Sequence, residues 1–244
     1  MRRIGIMGGT FNPIHNGHLA IAEKAREQFA LEKVLFMPSG VPYMKAQREV
    51  LPIQIRCEMT ALAIKDTPGF ELSEIEASDA AQAKNTYTCD TLRKLRRADP
   101  KAAYYFILGA DSLYAMESWK NPELIFKNCT VLAAVRRAAH MSSQVTDTVA
   151  KTEKYLHAAH SRRETDNTAM EAQGRNGLTT MEALAAQAQY LSEKYHASVE
   201  LLEFAGIDIS STQIREKIRK GEPLQGLVPE AVETYIVAKH LYLS

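Results

Sequence analysis

The sequence predicts an α/β fold, a mostly parallel sheet covered by helices on both faces. Two observations predict it. Short β-type apolar runs alternate with stretches of helical spacing along most of the chain, the rhythm that parallel strands and crossover helices produce. Composition agrees: 45% hydrophobic and 24% charged residues over 244 positions are enough for a real core. Right-handed crossovers then gather the functional loops at the carboxyl ends of the strands.

The elements follow in order. Ile4–Met7 reads as a strand, and Leu19–Phe29 carries apolar residues at helical spacing (Leu19, Ala22, Ala25, Phe29). Val34–Met37 is the next strand, followed by a loop with Pro38, Gly40 and Pro42. A long helix is expected from Ile53 to about Lys65, a third strand over Phe70–Ile75 and a helix over Thr88–Arg97. Tyr104–Leu108 and Thr130–Val135 are further strands. From about 140 to 195 the character changes: helical patterns at Val145–Ala159 and Thr180–Tyr195 flank a polar stretch without strand signal. This predicts a helical insertion within a single domain spanning 1–244. Val199–Phe204 returns to strand character, and two C-terminal helices follow, Ser211–Arg219 and Pro229–His240.

Several function classes are excluded early. A net charge of +1 demands neither nucleic acid nor an anionic membrane as partner, so a phosphate ligand must be held by a local arrangement. Cys57, Cys89 and Cys129 are odd in number, widely spaced and lack a CxxC pair, which argues against a disulfide framework or structural zinc. The apolar run at the start stops at a Gly pair, too soon for a secretory signal. No segment approaches the roughly 20 apolar residues of a membrane span. The expected location is cytoplasmic.

The strongest chemical signal is Gly8-Gly9-Thr10-Phe11-Asn12-Pro13-Ile14-His15-Asn16-Gly17-His18-Leu19, at a strand–loop–helix junction. Exposed N–H groups and the positive end of the helix dipole make such a junction an anion site. Gly8 and Gly9 let the backbone approach a phosphate, and Asn16 is the expected N-cap. His15 and His18, three residues apart, fall on one side of the first turn. There they can donate to oxygens that gain charge during phosphoryl transfer.

A second pattern lies almost 200 residues later: Ile209-Ser210-Ser211-Thr212-Gln213-Ile214-Arg215. Ser210 followed by Gln213 is a capping box. A hydroxyl-rich helix start with Arg215 one turn in suits the β- and γ-phosphates of a nucleotide.

GGTFNPIHNGHL resembles the H-x-G-H signature of the nucleotidyltransferase superfamily, and its wording is closest to the bacterial nicotinate-nucleotide adenylyltransferases. ISSTxIR resembles that family's second signature. The resemblance implies a Rossmann-like sheet of the HIGH type and transfer of AMP from ATP to nicotinate mononucleotide, with Mg2+ bound through the ATP phosphates. It implies His15 and His18 as catalytic residues. Gly8, Gly9, Thr10, Phe11, His18, Ser211, Thr212 and Arg215 would be ATP contacts. Asn12 stands where many members have Asp.

The resemblance also supplies an acceptor site. Pro42-Tyr43-Met44-Lys45 is similar to the family's P-P-H-K segment, with Lys45 at the phosphate-contacting lysine and Met44 in place of His. Tyr87-Thr88 matches the turn that receives the nicotinate carboxylate. Asp111, in Gly109-Ala110-Asp111-Ser112, suits a ribose hydroxyl, Trp119 matches the aromatic that stacks on the pyridine ring, and Arg136 matches an arginine near the phosphates. A transfer to phosphopantetheine or nicotinamide mononucleotide, a cytidylyltransferase and a nucleotide-binding regulator are the competing readings. About fifty residues exceed what the family commonly has, and an oligomer contact or a lid are both open for them. His140, His157 and His160 lack Cys or carboxylate partners at ligand spacing, so no protein metal site is expected.

Overall fold

A computed structural model of the protein describes residues 1–40, 50–80, 86–136, 181–204 and 209–243, with side chains at all of these except 79, 80, 136, 203 and 204. Six described strands form one parallel sheet: β1 (Arg3–Gly9), β2 (Lys33–Pro38), β3 (Phe70–Leu72), β4 (Ala103–Gly109), β5 (Thr130–Arg136) and β6 (Val199–Phe204). Their order is β3-β2-β1-β4-β5-β6. The register sets Ile4 beside Lys33 on one side and Tyr104 on the other, and Tyr105 beside Thr130. The chain winds outward from β1 in one direction, then returns to β4 and winds in the other. The reversal falls between β1 and β4, where an open parallel sheet leaves a crevice at the strands' carboxyl ends.

The helices are α1 (Asn16–Gln28), α2 (Ile53–Ile64), α3 (Ile75–Ala80), α4 (Thr88–Ala98), α5 (Ala110–Ala115), α6 (Pro122–Asn128), α7 (Met181–Tyr195), α8 (Ser211–Arg219) and α9 (Glu230–Ala238), with a 3₁₀ turn at Met116–Ser118. They cover both faces, because the strands are apolar on both sides and alternate with period two. Val34, Phe36, Ile107, Leu132 and Leu202 point into one core beneath α1, α2, α8 and α9. Ile4, Ile6, Tyr104, Phe106, Val131 and Ala133 point into a second beneath α4, α6 and α7.

Two boundaries differ from the sequence expectation. The strand expected over Phe70–Ile75 ends at Leu72, and Ile75 opens α3. Ile75 keeps its apolar burial by facing the second core from a helix instead. Residues 110–128 hold α5, the 3₁₀ turn and α6, elements of 3 to 7 residues that are too short for periodicity to reveal. Of the expected insertion, its last helix is seen as α7; the helical pattern at Val145–Ala159 lies outside the described residues, as do His140, His157 and His160.

Candidate active site

β1 delivers Gly8 and Gly9 to the crevice. A Cβ on Gly9 would sit 2.9 Å from Phe11 Cε1, so the ring of Phe11, itself 2% exposed, occupies the room a side chain would need. Phe11 takes the left-handed region at φ 48° and the Asn12–Pro13 peptide is cis. Asn12 Oδ1 accepts the Leu51 N–H (3.3 Å) and the Tyr242 hydroxyl (2.9 Å). A carboxylate would accept the same two donors, so Asn at this position preserves both bonds.

The helix start corrects one expectation. His15, not Asn16, is the N-cap of α1, with extended backbone at φ −149°, ψ 166°. Asn16 is drawn away, its Nδ2 donating to Gly226 O (2.9 Å) and its N–H to Leu227 O (2.9 Å). The His15 N–H donates to His18 Nδ1 (3.2 Å), so a neutral His18 carries its ring proton on Nε2. The two imidazoles stack with centroids 3.6 Å apart, and Phe11 meets His18 edge-on at 5.0 Å. His15 is 6% exposed, whereas His18 is only half-buried and borders the cavity.

The second motif meets the first directly. Ser210 caps α8, its Oγ accepting the Gln213 N–H (3.2 Å) while Gln213 Oε1 accepts the Ser210 N–H (2.9 Å). Ser211 Oγ donates to Pro13 O and Arg215 Nη1 to Asn12 O, both at 2.9 Å. The start of α8 therefore holds the loop's backbone as well as facing the cavity.

Two residues that sequence reasoning missed hold the loop from behind. Arg56 is 1% exposed and, among the described residues, donates to carbonyls alone: Leu51 (2.9 Å), Thr10 (2.7 Å), Ser39 (2.7 Å) and Gly40 (3.1 Å). Burial pulls its guanidinium below its usual pKa. Tyr242 is pushed above the usual phenol range, burial being the larger effect and the charges of Arg215 and Arg56 opposing it. No local pattern in α2 or beyond α9 announces either role.

The crevice between β1 and β4 opens into a cavity of about 630 Å³. Among the expected site residues it brings together Gly8, Thr10, Phe11, His15, His18, Asp111, Trp119, Ser211, Thr212 and Arg215. Phe106 was not anticipated; it lies in the middle of β4 and meets Trp119 edge-on at 6.2 Å. Gly9 and Thr88 do not line the cavity. Gly9 sits behind Phe11. Thr88 opens α4, after the extended N-cap Tyr87, and the Tyr87 ring carries Lys120 Nζ at 3.9 Å, tying this helix start to the segment that bears Trp119. Lys45 lies outside the described residues; Arg136 ends β5, and its side chain lies outside them too. Among the described residues no three His, Cys, Asp or Glu side chains gather as a metal site. No described helix is long and apolar enough to cross a membrane.

A cavity lined by two imidazoles, a hydroxyl-rich helix start and an indole is suited to a nucleotide held by its phosphates and a planar ring. Comparison with known proteins agrees. The cytidylyltransferase-like family model matches residues 6–217. A Lachnoclostridium phytofermentans protein named as a probable nicotinate-nucleotide adenylyltransferase is 35% identical over 243 residues, covering 100% of both chains. A Geobacter metallireducens protein of the same name is 37% identical, covering 98% of each. The overall length of the chain is thus shared with these relatives. Among solved structures, the Plasmodium falciparum nicotinic acid mononucleotide adenylyltransferase complexed with NaAD superposes with a TM-score of 0.67 at 16% identity, covering 99% of this chain and 98% of that one. The same enzyme complexed with APC gives 0.65. Full-length identity above a third and a shared fold lead to one conclusion: the chain is a nucleotidyltransferase of the cytidylyltransferase-like family and belongs, within it, to the nicotinate-nucleotide adenylyltransferases.

Proposed function

We propose that the chain joins ATP to nicotinate mononucleotide, giving nicotinate adenine dinucleotide and pyrophosphate, as a cytoplasmic step of NAD biosynthesis carried out by a single domain over 1–244. The observation that carries this reading is that the start of α8 is bonded to the loop before His18, through Pro13 O and Asn12 O, at a cavity lined by His18, Ser211, Arg215 and Trp119.

The acceptor's phosphate attacks the α-phosphorus of ATP in line, and pyrophosphate leaves on the far side. A phosphate dianion is already nucleophilic, so positioning and charge neutralisation carry most of the rate. His18 donates from Nε2 to an α-phosphate oxygen as charge builds on it. His15, stacked behind, orients that ring. Gly8, Thr10 and Phe11 bring backbone close to the phosphates, with Gly9 leaving room behind them for the Phe11 ring, while Ser211, Thr212 and Arg215 take the β and γ groups. Magnesium would be held by the ATP phosphate oxygens and would neutralise their charge, while Asp111 would take a ribose hydroxyl. On the acceptor side Trp119 stacks on the pyridine ring and the start of α4 at Thr88 favours a carboxylate over an amide. Lys45 and Arg136 keep the acceptor-phosphate role that the resemblance gives them.

Pyrophosphate release from ATP and magnesium, measured with nicotinate mononucleotide, nicotinamide mononucleotide and phosphopantetheine side by side, tests the reading. Preference for the first is expected. Preference for another keeps the reaction and reassigns the acceptor. No release with any, from folded protein that binds ATP, points to a nucleotide-binding regulator.

A further inference from the structure

Arg56 has no counterpart in the chemistry just described. A guanidinium 1% exposed is unusual, because burying a charge without a partner is costly. Among the described residues Arg56 forms no ion pair within 4 Å; its bonds go to main-chain carbonyls of three separate segments. Thr10 belongs to the loop after β1, Ser39 and Gly40 to the loop after β2, and Leu51 to the residues leading into α2. Thr60 Oγ1 in turn donates to the Arg56 carbonyl at 2.7 Å, and the Ser39 N–H donates to Gly9 O at 2.8 Å. The loops after β1 and β2 are therefore joined twice, once directly and once through the guanidinium.

A second buried charge stands on the other side of the same peptide. Glu76, 9% exposed near the start of α3, accepts the Gly40 N–H at Oε2 (3.2 Å) and the Thr91 hydroxyl at Oε1 (2.9 Å). Gly40 thus presents its carbonyl to a buried cation and its N–H to a buried anion. Its Cα is closed in as well: a Cβ there would lie 2.8 Å from Glu76 O and from Thr86 Cγ2. Thr91 sits one turn into α4, the helix that begins at Thr88.

We propose that Arg56 and Glu76 are positioning residues that clamp the Gly40 peptide between them and so hold the loop after β1 in register with the start of α4. The connection runs from Thr10 through Arg56 to Gly40, then through Glu76 to Thr91. One end belongs to the proposed ATP site and the other to the proposed acceptor site, so the inference rests on that reading for the names of the two ends. A reaction that depends on in-line alignment is sensitive at this level: a displacement of about 1 Å remote from the reacting atoms can lower turnover about 100-fold. Main-chain partners suit the task, because they fix loop positions irrespective of side-chain rotamers.

The test compares Arg56→Lys, Arg56→Met, Glu76→Gln and the double variant Arg56→Lys/Glu76→Gln with the parent protein. Thermal melting comes first, and kinetics are read at least 15 °C below each variant's Tm. Trp119, the single tryptophan and a wall of the cavity, reports nicotinate mononucleotide binding by fluorescence without any turnover. The lysine retains charge and part of the donor set, so Arg56→Lys should lose about tenfold in kcat and Arg56→Met more, with lysine rescuing part of the loss. Glu76→Gln should raise the nicotinate mononucleotide KM and its fluorescence Kd about tenfold while leaving the ATP KM within twofold. In the double variant the losses should fall well short of the product of the single ones, because both act through one peptide. Folded single variants with kcat and both KM values within twofold of the parent, or fully multiplicative losses, overturn the proposal. If Arg56 variants do not fold, the near-isosteric Glu76→Gln decides alone through its KM split. A parent protein that releases no pyrophosphate with any acceptor sinks the functional reading instead; the clamp is then judged by Trp119 titration with ATP, whose Kd must weaken in Arg56→Lys.

Discussion

Replacing His18 by Ala separates what the imidazole does for folding from what it does for chemistry. Among the described residues the ring accepts a backbone hydrogen bond from the His15 N–H at 3.2 Å and touches the rings of His15 at 3.6 Å and Phe11 at 5.0 Å between centroids. A hydrogen bond of this kind contributes about 1 kcal/mol, and ring contacts about 0.5–1.5 kcal/mol. The variant should thus lose about 2 kcal/mol of stability, from a total that is typically about 5–15 kcal/mol. A chain of this size shifts in Tm by about 2–4 °C per kcal/mol, so melting should fall by about 4–8 °C and the protein stay folded at 25 °C. Loss of a transition-state donor is larger in its own terms: about 100- to 1,000-fold in kcat, with the ATP KM little changed because the bond strengthens only as charge develops. His18→Gln sharpens the contrast. A Gln at the third helical position can reach back to the N-cap N–H, so Tm should recover while turnover does not. Melting by circular dichroism and steady-state pyrophosphate release on the same preparations measure both. A folded His18→Ala protein that turns over within about fivefold of the parent would refute the assignment.

Gly9→Ala places a methyl 2.9 Å from a ring that cannot swing away; overpacking of this sort costs about 1–3 kcal/mol, to be read as a lower Tm together with a weaker ATP Kd. Glu117 is expected to leave a signature in acid. Its burial works to raise its pKa, but hydrogen bonds from Lys194, Tyr190 and Tyr195 and the Lys194 charge outweigh that and hold it below 4.5. A depressed folded value contributes stability that is present above the unfolded pKa and lost as pH falls through the folded one. Tm measured from pH 7 down to pH 3 should drop more steeply for the parent below pH 4.5 than for Glu117→Gln. Cys129 is 7% exposed and burial pushes its thiol up to about 12, so thiol-directed alkylation at pH 8 should leave it unmodified until the chain is unfolded.

Much of the fold was legible because its strands are apolar on both faces and its turns carry Gly or Pro. β1, β2, β4, β5 and β6 and helices α1, α2, α4, α8 and α9 lie where periodicity puts them. The short pieces between β4 and β5 were not legible, since a helix of six or seven residues completes too few turns to show a period. The N-cap was misplaced for a similar reason: Asn is a better cap than His by propensity, but the turn at Gly226–Leu227 takes the Asn16 groups, a partner 210 residues away that no local rule contains. At the site the two signatures were legible as motifs, and their meeting was not. The bonds from Ser211 and Arg215 to Pro13 and Asn12 exist only in the folded chain. Arg56 and Tyr242 were invisible for a further reason: an Arg in a helix and a Tyr beyond one are ordinary in sequence, and only complete burial marks them.

The bond from Tyr242 to Asn12 spans 230 residues, and those from Arg215 and Ser211 span 203 and 198. Contacts of such long range form late, because the entropy of closing so large a loop must be overcome before the contact contributes anything. During synthesis the glycine-and-histidine loop can therefore meet Arg56 and Ser39 early, yet it waits about 200 residues more for the bonds that Ser211 and Arg215 make to Pro13 and Asn12. β1, β2 and β4 can assemble in the interval. Nucleotide affinity should accordingly lag behind secondary structure during refolding, and a product cut short before residue 211 would hold much of the sheet while lacking the brace that shapes its phosphate loop. In this architecture competence is a property of the completed chain, acquired at the end of folding rather than with the motif itself.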